Sequence, residues 1–203
     1  GEQVPDEAAQ VPQWRYVGAR QAEWPQADFI VGNPPYLGAR TIRQSLGDGY
    51  LEALRKVHPD VPDNADFVMY WWSKAATLAA AQRCRQFGLI TTNSLRQSFN
   101  RAVLEQFLDK GLSLVFVIPD HPWVDSSNGA DVRVALSVGR SGKHDGILSL
   151  VVREEAFTDG EFSIEIEESR GPITPGLTIG IDVAASPALR SNRGMSCVGY
   201  QLT

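Results

Sequence analysis

The apolar positions of this chain change rhythm along its length, and the changes divide it into elements. Ala27–Gly32, "ADFIVG", is a short apolar run closed by a glycine, which predicts a buried strand. Beyond it Tyr50, Leu51, Leu54 and Val57 fall at helical spacing, and Pro59 and Pro62 end that element. From Asn64 to Phe87 there is neither glycine nor proline. The stretch is apolar around much of its circumference and predicts a long, well-buried helix. Asn64 or Asp66 can cap its start, and Arg83 and Arg85 suit its C-terminal end. Gly88 is expected to stop it, ahead of a strand "LITTNS". "RQSFNRAVLEQFLDKG" predicts an amphipathic helix with Phe99, Val103, Leu104, Phe107 and Leu108 on one face and Gly111 at its C-cap. "LSLVFVIPD" reads as a strand, "HPWVDSSNGA" as a loop, and "DVRVALSVGR" as a strand in which Val132, Val134, Leu136 and Val138 alternate with other residues. After the turn "SGKHDG", "GILSLVVRE" predicts one more strand.

This order predicts an α/β fold: a mainly parallel sheet with helices on its faces and an antiparallel edge built by the closing strands. Three regions follow. Residues 1–26, rich in Gln, Pro and Ala with Trp14, Tyr16 and Trp24 interspersed, form an irregular lead-in. Residues 27–154 carry the sheet. Residues 155–203, where "GEFSIEIEES" alternates only weakly and Gly, Pro and Ser become frequent, read as an extended arm or linker.

Bulk composition narrows the class without naming a function. With 203 residues, 43% of them hydrophobic and 21% charged, the chain reads as one soluble globular domain. A net charge of −5 argues against a surface that clamps nucleic acid everywhere, but it allows a local basic face. No apolar run reaches the ~20 residues that span a bilayer. No secretory signal is visible, and "GEQVPDEAAQ" reads as a cut end rather than a natural start. Cys84 and Cys197 lie far apart, which suits a reduced intracellular protein better than a disulfide. His58, His121 and His144 form no metal-ligand spacing with them, so no metal is expected.

Candidate chemistry concentrates at the end of the first strand. In open α/β sheets, ligands bind beyond the carboxyl ends of the strands, and "NPPY", Asn33–Tyr36, falls at such an end. Pro34 and Pro35 have fixed φ and no N–H, so the corner is stiff. The Asn33 side-chain carbonyl and the Pro34 backbone carbonyl can present two acceptors to one amino group, with Tyr36 covering the flat face of the ring that bears it. An exocyclic amine is a poor nucleophile, because its lone pair is delocalised into the ring. Two acceptors on its hydrogens favour a more tetrahedral nitrogen and aim that lone pair at an electrophile. The plain alternative is a tight turn after a strand.

"DFIVGNPPY" resembles the catalytic motif of S-adenosylmethionine-dependent amino-group DNA methyltransferases, (D/N/S)PP(Y/F/W). "NADFVMYWWSKAATLA" is similar to the helix that follows it in the large adenine-specific enzymes. "GLITTNSLRQSFNRAVLE" resembles their next strand–helix unit, and "IPDHPWVDSSNGADVRVALSVGR" the strand, loop and strand closing their catalytic sheet. "LRSNRGMSCVGYQL" resembles the connection toward the target-recognition region of bifunctional type II restriction-modification proteins. The likeness runs from about Ala27 to the C-terminus. It implies a partial Rossmann-like sheet, a restriction-modification role and a prokaryotic cytoplasmic setting. Asn33, Pro34 and Pro35 would hold the N6 amine of an adenine flipped out of double-stranded DNA, since a stacked base cannot reach a methyl donor in a pocket. Tyr36 would stack on it. Trp123 is the candidate for the base's second face, the alternative being that it packs its own loop. Phe67 is a candidate contact for the cofactor's adenine, the alternative being a place in the core. Arg40, Arg43, Arg96 and Arg101 follow the two strand ends and are candidates for DNA phosphates.

The family's glycine-rich loop, and the acidic residue that holds the cofactor ribose, are not found ahead of Asn33. The sequence therefore reads as the catalytic-loop half of a methyltransferase domain, with most of the S-adenosylmethionine site expected elsewhere and little activity by itself. The Asp and Glu-x-Lys pattern of metal-dependent nucleases is absent too; the carboxylates of "FSIEIEES" are those of an alternating exposed strand. Two further readings keep the motif but change its use. Glutamine-directed protein methyltransferases share NPPY, since a side-chain amide is also a planar amine. In the other, the segment is a non-catalytic DNA-binding or scaffold module. "PPY" as a WW-domain ligand would need an exposed flexible segment, which an apolar strand immediately upstream opposes.

Overall fold

The computed structural model describes residues 15–123, 132–156 and 162–180. Trp14, Cys197, the expected loop beyond Trp123 and the last part of the predicted arm lie outside the described residues. Six strands form one sheet in the order β1-β2-β4-β3-β5-β6: β1 (Phe29–Gly32), β2 (Gln86–Thr92), β3 (Leu112–Trp123), β4 (Val132–Ser141), β5 (Gly146–Ala156) and β6 (Phe162–Gly171). Helices α1 (Ala39–Leu46), α2 (Asp48–Val57) and α3 (Val68–Ala80) lie between β1 and β2, and α4 (Ser98–Asp109) between β2 and β3. No described helix is long and apolar enough to cross a membrane.

The sheet is mixed, where the strand–helix alternation predicts a mainly parallel one. Only β1–β2 and β3–β5 pair in parallel; β2–β4, β3–β4 and β5–β6 are antiparallel. The reason is the placement of β4. It returns from β3 and lies between β3 and β2 instead of at the edge, so both of its pairings are antiparallel. This arrangement leaves the carboxyl ends of β1, β2, β3 and β5 at the same end of the sheet. The predicted arm is likewise corrected over its first part. β5 runs on past the expected boundary to Ala156, and Phe162–Gly171 pairs along it as β6. Ile173 and Leu177 are then buried in the core.

Helix α3 is shorter than the stretch without glycine or proline. It ends at Ala80, where Gln82 takes φ 56°. There the Gln82 N–H donates to the Ala79 carbonyl (3.0 Å) and the Arg83 N–H to that of Leu78 (2.8 Å), a Schellman closure with glutamine in the place glycine usually fills. Arg83 and Arg85 lie beyond the helix, and Gly88 falls inside β2 rather than ending α3. Helix α1 escapes the sequence pattern because Ile42 alone of its residues is buried. Gly47, at φ 80°, turns the chain from α1 into α2. On α4, Val103, Leu104 and Phe107 are buried as expected, but Phe99 is 52% exposed. The inward stripe is Asn100, Val103, Leu104 and Phe107, with Asn100 in the place predicted for Phe99.

The core sits between α3, α4 and one face of the sheet. Phe87, Leu89 and Thr91 of β2 stand opposite Gly139, Ser137 and Ala135 of β4 on that face. The fully buried Trp72 packs edge-on against Phe87 (5.2 Å) and Phe107 (5.9 Å), and its Nε1–H donates to Ser137 Oγ at 3.2 Å. Small β4 residues are required here: a Cβ on Gly139 would overlap the Phe87 ring. The predicted helices on both faces are corrected by this packing, because α3 and α4 share one face. On the other face Ile90, Phe116, Leu136, Val138 and Ile147 are only partly buried. β1, expected as a buried strand, is instead an exposed edge of the described sheet, with Phe29 and Val31 59% and 85% exposed. Beside the carboxyl ends, Arg133 of β4 bridges Asp120 of β3 (2.5 Å) and Glu154 of β5 (2.6 Å).

Three stability predictions follow from these contacts. Gly139→Ala forces the Phe87 ring out of its place and costs about 1–3 kcal/mol, read as a lower melting temperature. Gln82→Gly relieves a left-handed residue and raises stability by about 0.5–1 kcal/mol in the same assay. The Arg133 hydrogen bond holds the Glu154 carboxyl below its ordinary range. Its contribution is therefore present at neutral pH and is lost as pH falls through the depressed value. Arg133→Met is expected to lower the melting temperature most at neutral pH, with the difference from wild type shrinking in acid.

Candidate functional site

Strand register decides which residues meet at the carboxyl end. Gly32, the last residue of β1, stands beside Leu89, so β2 continues three residues further, to Thr92. Beyond Gly32 the chain enters Asn33–Tyr36 and then Leu37–Gly38 before α1; beyond Thr92 it enters a 3-10 turn, Asn93–Arg96. A cavity of about 270 Å³ opens between these two exits, lined by Tyr36, Leu37, Gly38, Asp66, Val68, Thr92 and Ser94. Pro34 is buried and anchors the corner, while Asn33 and Pro35 are exposed on either side of it. The Tyr36 hydroxyl donates to Asn33 Oδ1, so the phenol occupies that acceptor. Burial pushes the Tyr36 phenol above its ordinary pKa, and the bond to Asn33 acts in the opposite direction. The group stays protonated at neutral pH and can keep donating.

The start of α3 closes the cavity and is itself tied to the corner. The Phe67 N–H donates to the Leu37 carbonyl at 2.9 Å. Asp66, expected as a helix cap, makes no cap bond. Its Oδ1 accepts from the Ala39 N–H (3.3 Å), and its Oδ2 accepts from Ser94 Oγ (2.6 Å) and Asn100 Nδ2 (2.8 Å). Asn100 Oδ1 in turn accepts the Asp66 N–H at 2.9 Å. Thr92 and Ser94 hydroxyls lie 2.5 Å apart. The sequence reading missed Asp66 in this role, and Thr92, Ser94 and Asn100 altogether. One signal was present: Asn100 is a polar residue on the stripe it shares with Val103, Leu104 and Phe107.

The remaining candidates are spread around this centre. Phe67 is 4% exposed and packs against Tyr50, Tyr70 and Trp71 at 6.3, 6.1 and 4.5 Å, so its ring is part of the core. Trp123 is 37% exposed at the end of β3, paired with Val132. It shares the sheet end with the corner, but β3 stands three strand positions from β1, roughly 14 Å at ~4.8 Å per spacing. Of the arginines, Arg43 pairs with Asp48, and Arg101 pairs with Glu105 at 3.0 Å. Arg40 and Arg96 are exposed and, among the described residues, have no carboxylate within ion-pair distance. Each lies two residues beyond a residue that lines the cavity, Gly38 or Ser94. Cys84 is buried in the core away from the cavity. Among the described residues no cluster of His, Cys, Asp and Glu is arranged to hold a metal ion.

A larger cavity, about 380 Å³, lies between residues 16–24 and helices α2 and α3, lined by Tyr16, Trp24, Tyr50, Trp71 and Lys74 among others. None of the candidate residues lines it, although Tyr50, Tyr70 and Trp71 of its wall pack on Phe67. Beside it, burial and the charge of Lys74 pull the His58 pKa below its ordinary value.

The fold has counterparts among known proteins. The fold is similar to the structure of the type IIL restriction-modification enzyme MmeI in complex with DNA, with 22% identity and a TM-score of 0.57 over 76% of this chain. The match covers 20% of the MmeI chain, so the present sequence spans about a fifth of that protein's length. A weaker likeness, 14% identity and a TM-score of 0.44, relates 66% of the chain to 28% of the modification subunit of a proposed type I restriction enzyme from Vibrio vulnificus YJ016. No curated protein matches the chain. The family described as "MmeI, DNA-methyltransferase domain" matches residues 2–148, which include both strand exits, the cavity between them and all of α1 to α4. The chain belongs to the family of MmeI DNA-methyltransferase domains.

Proposed function

We propose that this chain is the amine-gripping part of an adenine-N6 DNA methyltransferase in a restriction-modification protein. The observation that carries the reading is the Asn33 corner. A rigid two-proline turn at the carboxyl end of a strand presents Asn33 Oδ1 beside a cavity, with a hydroxyl already donating to that oxygen. The Tyr36 phenol marks where a target N–H would sit. An extruded adenine would displace the phenol, bring its N6 hydrogens to Asn33 Oδ1 and the Pro34 carbonyl, and take the Tyr36 ring against its face. The two acceptors hold the nitrogen lone pair toward the electrophile and stabilise the charge that develops on nitrogen. S-adenosylmethionine, when bound, supplies that electrophilic methyl group.

This reading places most of the donor's site outside the described residues. No strand and glycine-rich loop precede β1 among them, and the Phe67 ring is enclosed by its aromatic neighbours. The donor's site is accordingly assigned to other parts of a longer protein. Arg40 and Arg96 are the better candidates for phosphate contacts, because Arg43 and Arg101 already have carboxylate partners. Double-stranded DNA is the partner that this reading requires, with Trp123 as an outlying candidate for a second stacking surface.

The test is transfer of a labelled methyl group to duplex DNA, and to a glutamine-containing peptide, by the full protein that carries this chain. Asn33→Ala is expected to lower transfer to DNA by about a hundredfold or more, with duplex affinity retained. Tyr36→Ala should cost about 1–3 kcal/mol, roughly 5- to 150-fold, whereas Tyr36→Phe keeps the stacking face and stays close to wild type. Unchanged DNA methylation by Asn33→Ala would sink the proposal.

A further inference from the structure

We propose that Asp66 is a positioning residue that sets the Asn33–Tyr36 corner against the strand exit opposite; this rests on the methyl-transfer reading above. Its carboxylate lines the cavity and joins three separate segments. Oδ1 takes the N–H of Ala39, at the end of the corner loop, at 3.3 Å. Oδ2 takes the hydroxyl of Ser94, beyond β2, at 2.6 Å, and the amide of the buried Asn100, on α4, at 2.8 Å. One residue along, the Phe67 N–H holds the Leu37 carbonyl at 2.9 Å. The corner loop is thus held at Leu37 and Ala39 by two adjacent residues at the start of α3.

Helix capping does not explain this carboxylate, because neither of its oxygens caps α3. Nor does ion pairing: among the described residues it has no Lys, Arg or His within ion-pair distance. Its partners are an N–H, an O–H and an NH₂, all donors, so the position requires a group that only accepts. Asparagine has almost the same shape. It would turn an NH₂ toward either the Ala39 N–H or the Ser94 and Asn100 donors and release one side of the cavity. A shift of about 1 Å in the corner is enough to spoil in-line attack while leaving duplex contacts in place.

This separates Asp66 from a residue that merely supports the fold. In the full protein, Asp66→Asn is expected to lower kcat for DNA methylation by about tenfold or more, with duplex Kd within about twofold and only a modest fall in melting temperature. The inference is overturned if Asp66→Asn keeps its kcat, or if duplex affinity falls along with kcat. Asn33→Ala assayed in parallel distinguishes the two levels. A dead Asn33→Ala beside a fully active Asp66→Asn removes only the role of Asp66. A fully active Asn33→Ala removes the methyl-transfer reading and this inference with it.

Discussion

The position of α3 on the sheet is fixed by one buried ring, and the site is arranged from there. Trp72 needs a flat apolar bed and a hydrogen-bond acceptor at once, because its indole N–H is buried with it. Phe87, Phe107 and Ser137 supply both. The bed exists only because β4 carries Gly139, Ser137 and Ala135 at successive inward positions. With Trp72 seated, the first turn of α3 points at the carboxyl end of the sheet, and Asp66 and Phe67 reach the loop leaving β1. A packing requirement in the middle of the molecule thus becomes a geometric requirement at its edge.

The insertion of β4 between β2 and β3 has a similar consequence. A wholly parallel continuation would need a crossover between each pair of strands. The hairpin partner β4 instead lies between β2 and β3, and Asn93, after β2, still reaches across to Asp120 of β3 (3.4 Å), which Arg133 of β4 also holds. The exits of β1 and β2 stand side by side, with that of β3 beyond β4. Hydroxyls, amides and carboxylates collect there because exits are where backbone groups leave the ladder and must find other partners.

Stiffness and openness are divided within the corner itself. Pro34 is buried and cannot move without disturbing the core, whereas Asn33 and Pro35 are exposed. Tyr36 lies between these extremes, partly buried and bonded to the very acceptor it guards. In the proposed methyl-transfer reading, this bond keeps the Asn33 amide oriented until a target amine replaces it almost in kind.

The sequence by itself determined the elements with a strong period and the covalent make-up of the corner. The strand before Asn33, the buried character of α3, the helix ending near Gly111 and the alternation of β4 all rest on local spacing, and local spacing is what a chain encodes most directly. Asn33–Tyr36 was legible for the same reason, since its fixed φ angles and side-chain acceptors are covalent properties. The tertiary structure decided where β4 lies, because hairpin and crossover strands have the same alternation. It decided that Phe99 faces out and Asn100 in, a phase that one polar residue can mislead. It also decided that Asp66 serves Ala39, Ser94 and Asn100 rather than its own helix. Those partners lie far apart in the chain, and only the packing of Trp72 against β4 brings them within reach of one carboxylate.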